Sequence, residues 1–164
     1  MNRIISSVFT ALALVFLPRE EAVAQTANEL VGTWTLVSIT REQDGKKTDY
    51  FGSNPQVQAI FETNGHFSTF FIRSDVPKFA SNDREAGTPE ENKSAVQGSV
   101  AYFGTYSISE ADHTLNFHID GSTFPNWRGA DQKRIFKLSG DELSWTNLRS
   151  STVGSATTVW KRVK

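Results

Sequence analysis

The residue with the strongest chemical potential in this chain is Arg134. In the segment Lys133-Arg134-Ile135-Phe136-Lys137-Leu138 it shares parity with Phe136 and Leu138, while both lysines fall on the other face. Side chains alternate across a β-strand, so an inward Phe136 and Leu138 bring Arg134 inward with them. A guanidinium in an apolar interior requires an anionic or polar partner. The partner can be the carboxylate of a bound lipid-like acid, gripped in bidentate fashion. It can equally be an internal carboxylate, or water reached at the rim of the fold.

His118, Asp120 and Ser122 lie close enough in sequence to suggest acid–base chemistry. Parity opposes that reading, because Leu115, Phe117 and Ile119 claim the inward face and turn Asn116, His118 and Asp120 outward. Ser122 follows Gly121 in a turn and lacks the strand-to-helix elbow of a hydrolase nucleophile. His66, His113 and His118 are scattered, and the chain has no cysteine, so the spacing offers no metal centre. His66 follows Asn64-Gly65 as a turn-flanking residue, and Glu90 and Glu91 are explained by helix-start electrostatics. No catalytic residue, metal or cofactor is assigned.

Aromatic side chains are spread over most of the apolar segments and supply bulk for a core. Among them Tyr106, Phe117, Phe136 and Trp145 are assigned, with Arg134, as ligand contacts. Lys78, Phe79 and Arg84 belong either to an entrance or to contacts that pin their loop.

These residues are positioned by short alternating segments: Trp34 to Ile39, Val57 to Glu62, His66 to Arg73, Tyr102 to Ile108, Thr114 to Ile119, Lys133 to Leu138, Leu143 to Asn147 and Thr157 to Val163. Eight such strands separated by Asp44-Gly45, Asn64-Gly65, Asp120-Gly121 and Gly140-Asp141 turns predict an all-β, eight-stranded antiparallel barrel. The strand His66 to Ile72 is apolar on both faces, which predicts a cover over its outer side. Thr88-Pro89-Glu90-Glu91 reads as a capping box opening one short capping helix that runs to about Ser99. Ahead of it, Ser74 to Gly87 is long for a connection in a small domain. A barrel removes its sheet edges by pairing its first and last strands, so Trp34 and Arg162 are placed to meet across that seam as a structural closure.

Met1-Asn2-Arg3, the apolar run Ile4 to Leu17 and the small residues of Ala22-Val23-Ala24 read as a cleavable signal peptide over residues 1–24, followed by one barrel domain over residues 25–164. The apolar run is short for a bilayer span, which takes about 20 residues, so stable membrane insertion is not expected. Without cysteine, an exported domain must draw its stability from its core. The formal charge is −1, which gives no electrostatic reason to bind nucleic acid. A secreted or periplasmic monomer is expected.

Gly32-Thr33-Trp34 resembles the first-strand signature of lipocalin-type barrels, and Trp160-Lys161-Arg162 sits where related barrels place a basic residue over that tryptophan. The ordered series Val76 to Arg84, Gly87 to Asn92, Tyr102 to Tyr106, Phe124 to Trp127 and Gln132 to Arg134 resembles the bacterial lipocalin-like domain family over nearly the whole chain after residue 24. The resemblance implies a calycin-type barrel and reversible binding of a small hydrophobic ligand. It carries fold further than function. Two alternatives stand beside the binder: an isomerase- or cyclase-type enzyme in which Arg134 or Tyr106 polarises a confined substrate, and a solid barrel that docks an envelope partner. The lack of an evident nucleophile–base pair favours the binder over the enzyme.

Overall fold

A computed structural model describes residues 27–148 and 154–164. The segment expected to be a signal peptide, residues 1–24, lies outside the described residues. Nine strands follow in order: β1 (Gly32–Gln43), β2 (Lys46–Asp49), β3 (Gln56–Phe61), β4 (His66–Ile72), β5 (Ser99–Ser109), β6 (Thr114–Ser122), β7 (Asp131–Ser139), β8 (Glu142–Asn147) and β9 (Ser155–Arg162). All pairings are antiparallel. Strands β3 to β9 pair in sequence order, and β1 pairs with both β3 and β9, which closes an eight-stranded barrel. The ninth strand is β2, which the sequence does not announce. Lys46-Lys47-Thr48-Asp49 has no apolar alternation, and it is held as a hairpin arm on the end of β1 outside the closed ring.

The interior is the inward half of each alternation. On β6, Leu115, Phe117 and Ile119 are buried while His118 and Asp120 are exposed; on β4, Phe67, Thr69 and Phe71 are buried. The outer face of β4 is only partly covered by the described residues, with Phe70 42% and Ile72 41% exposed. Burying rings such as Phe61, Phe67, Phe117, Trp145 and Trp160 contributes roughly 1.5–3 kcal/mol each. Gly104 is required where β5 crosses β6 at a bulge. A Cβ there would stand 1.9 Å from the His118 carbonyl oxygen.

The two ends of the barrel differ. At one, a helical turn over residues 27–30 places Leu30 against the core, and the Trp34 indole Nε1 donates to the Leu30 carbonyl at 2.9 Å. At the other lie the β1–β2 hairpin, the Tyr50–Pro55 connection, the β4–β5 crossing and a short 3-10 turn at Pro125–Trp127. The capping box forms over the helix Pro89–Gly98, with Thr88 accepting from the Glu91 amide and Glu91 accepting from the Thr88 amide. Glu91 also accepts from the Ala80 amide at 2.8 Å, and the Phe79 ring packs on Gly87, so the loop between residues 76 and 88 is folded back onto the helix start.

Candidate functional site

A cavity opens at the loop-bearing end of the barrel. Its free space is about 50 Å³, set within a concavity of about 460 Å³ that is open to solvent. Irregular segments supply Tyr50, Phe51 and Trp127, while strands supply Phe71, Tyr102, Trp145, Asn147, Thr158 and Arg134. The helix Pro89–Gly98 contributes no lining side chain; Val100, just after it, does.

Arg134 points inward and is 3% exposed. Its guanidinium donates to the Gln132 side-chain oxygen and to the Lys133 carbonyl at 3.3 Å, and its carbon lies 5.5 Å from the Phe117 ring centroid. No carboxylate of a described residue lies within 4.0 Å of it. Burial pushes its pKa down, and the neighbouring Tyr102 acts in the opposite direction without cancelling that effect. The internal salt bridge left open by the sequence is therefore not formed among the described residues. What Arg134 has instead is two uncharged acceptors, the neighbouring Tyr102 side chain and the aromatic face of Phe117.

The assigned contacts separate into three places. Trp145 lines the cavity with Arg134, and Phe117 packs against the guanidinium from the core side. Phe136 is buried but stands outside the lining, paired across the sheet with Trp145. Tyr106 also stands outside it: its hydroxyl donates to the Glu62 carbonyl at 3.0 Å and its ring meets Phe61 edge-on, with burial raising its pKa. Trp34 and Arg162 meet at the opposite, sealed end, where the guanidinium carbon is 4.2 Å from the indole centroid.

His118 stays on the outer wall. Its Nδ1 is 2.7 Å from Asp131 and its Nε2 is 3.8 Å from Asp120, and the hydrogen bond to Asp131 raises its pKa, with desolvation opposing and both carboxylate charges adding. The Ser122 hydroxyl instead accepts from the Phe124 amide at 3.0 Å. The three residues suggested by sequence proximity therefore form no nucleophile–base pair.

One residue near the cavity escapes a parity count from the sequence. A bulge between Leu36 and Ser38 shifts the register of β1 against β9, so the inward face passes from Trp34 to Ile39, and Arg41 follows Ile39 on that side. Its guanidinium carbon lies 5.5 Å from the centroid of the cavity-lining Tyr50 ring.

Among proteins of similar sequence, the 4'-hydroxy-3'-methoxypropiophenone carrier protein of Aspergillus oryzae is 28% identical over 78 residues, covering 44% of this chain and 70% of that protein. Among solved structures, a lipocalin-like protein from Bacteroides uniformis is 16% identical, covering 82% of this chain and 99% of its own, with a TM-score of 0.45. A protein from Bacteroides eggerthii is 12% identical, covering 81% and 98%, with a TM-score of 0.42. The sequence profile of the lipocalin-like domain matches residues 31–163, the span that runs from the sealed end through every strand of the barrel, and the chain belongs to that family.

Proposed function

We propose that this protein is an exported binder of a small, largely apolar carboxylic acid, whose acidic head enters the open end of the barrel and meets Arg134. The observation that carries the reading is the burial of the Arg134 guanidinium beside a cavity with only uncharged acceptors around it. Holding a cation there is costly, and a ligand carboxylate offsets that cost with two parallel charge-assisted hydrogen bonds.

The size of the cavity restricts the ligand. A pocket that encloses a drug-sized molecule measures about 300–1,000 Å³, well above the 50 Å³ of free space here. The head of the ligand therefore sits inside and its apolar body lies in the mouth, against Tyr50, Phe51 and Trp127. The Aspergillus oryzae relative, named for the carriage of a small aromatic ketone, supports a carrier role of the same scale. Export rests on the residue pattern of positions 1–24. Intact-mass measurement on protein from the native envelope tests it, with a chain beginning at or near Gln25 expected and a chain retaining residues 1–24 contradicting it.

The binding reading is tested by titrating benzoate and methyl benzoate into the wild-type protein and Arg134→Gln. The acid is expected to bind wild type more tightly than the ester, and the substitution to weaken the acid by about 1.5–3 kcal/mol while leaving the ester unchanged. Equal affinity of wild type for acid and ester removes the carboxylate handle.

A further inference from the structure

The cavity has a second cation at its edge. Arg41 pairs with Ala156, Ala156 pairs with Asn147, and one step beyond the Ile135–Thr146 pair Asn147 stands opposite Arg134. The four residues therefore form one transverse row across β1, β9, β8 and β7. Its two central members, Ala156 and Asn147, line the cavity, and its two ends are arginines. Three strand spacings separate those ends, about 14 Å along the curved sheet.

Arg41 is as short of anionic partners as Arg134. Its Nε is shut away from solvent with no hydrogen-bond acceptor, and no carboxylate of a described residue lies within 4.0 Å of its guanidinium. Its contact is the face of Tyr50, itself part of the lining. Arg134 thus lines a concavity walled by Tyr50, Phe51, Phe71, Tyr102, Trp127 and Trp145, and Arg41, outside that lining, lies over the ring of Tyr50, one of its walls. A monoanion neutralises one of the two guanidinium groups and leaves the other. A dianion neutralises both, and guanidinium forks match both carboxylate and phosphate oxygens.

We infer that Arg41 and Arg134 act together as a clamp and that the ligand of this cavity is a small aromatic dianion. The inference rests on the proposal that Arg134 receives a ligand anion, and it adds a second charge and a second receiving residue. The two charges can sit on one head, as in an aryl phosphate, or on two, as in an arene dicarboxylate; the shared chemistry is an aromatic ring bearing two negative charges.

The test is calorimetric titration at pH 8 of benzoate, methyl benzoate, phenyl phosphate and isophthalate into wild type, Arg41→Gln and Arg134→Gln, with a denaturation curve for each variant to establish that it is folded. Wild type is expected to bind one of the two dianions at least ten-fold more tightly than benzoate, and which one it prefers separates a single head from two. Arg41→Gln is expected to erase that gain while holding benzoate affinity within about three-fold. Arg134→Gln is expected to weaken benzoate and the preferred dianion alike. If benzoate binds better than its ester but neither dianion exceeds benzoate, or the gain survives Arg41→Gln, the clamp is overturned and the Arg134 reading stands. If benzoate binds no better than its ester, or no probe binds, both fall.

Discussion

Arg162, at the end of β9, and Trp34, near the start of β1, meet as register partners and close the barrel at one end. The guanidinium lies over the indole at 4.2 Å, donates to the Val31 carbonyl at 2.6 Å and to the Glu29 carbonyl, and stands 3.3 Å from Asp141. One side chain thus ties β9, the helical turn over residues 27–30 and the β7–β8 turn to the ring of Trp34. Trp34→Ala is expected to cost about 3–5 kcal/mol through the cavity it leaves. Arg162→Lys keeps a charge but loses the fork and is expected to cost about 1–3 kcal/mol. Denaturant midpoints at constant slope measure both, and equal, negligible losses would remove the pair from the closure.

Glu91 joins helix start and loop in one carboxylate, accepting from the amides of Thr88 and Ala80. Those backbone hydrogen bonds, Thr88 first, lower its pKa. Its contribution is present above the unfolded value near 4.5 and is lost as pH falls through the depressed folded value. Glu91→Ala is expected to raise amide exchange and protease cleavage across residues 76–92 while leaving the barrel strands protected. Unchanged exchange in that stretch would show that the loop is held by other contacts.

His118 gives the opposite sign. Its pKa is raised by the Asp131 hydrogen bond first, then by the charges of Asp131 and Asp120. A raised folded-state value contributes stability that is complete below the unfolded value near 6.5 and is lost as pH climbs through the folded one. The denaturant midpoint should therefore fall as pH rises from about 6 to 8, and His118→Asn should flatten that slope. A slope indifferent to the substitution would locate the titration elsewhere.

The barrel was legible because most of its strands, β6 and β7 above all, alternate. Arg134 could be placed inward by counting from Phe136 and Leu138, and Phe117 by counting from Leu115 and Ile119. Arg41 could not, because counting by twos from Trp34 sends it outward, and only the bulge at Leu36/Ser38 restores it to the inner face. The mouth was hidden for a different reason. Tyr50, Phe51 and Trp127 lie in connections without periodicity, so nothing in their spacing tells which way they point. Tyr106 shows the limit of parity itself. It faces inward, but its hydroxyl is taken up by the Glu62 carbonyl, well away from the cavity.

The last prediction separates a residue kept for function from one kept for stability. Arg134 is almost wholly buried, its pKa is driven down chiefly by that burial, and no described carboxylate repays the desolvation. Replacing such a cation with an apolar side chain of similar length removes the desolvation cost and keeps the packing against Phe117. Arg134→Met is therefore expected to be neutral or up to about 4 kcal/mol more stable than wild type, and to lose its preference for benzoate over methyl benzoate. Gain of stability with loss of discrimination is the pattern of a side chain retained for its ligand. A loss of about 3–5 kcal/mol in the denaturation curve would mean that Arg134 is integral to the barrel's own polar network, and its burial would then no longer argue for a ligand.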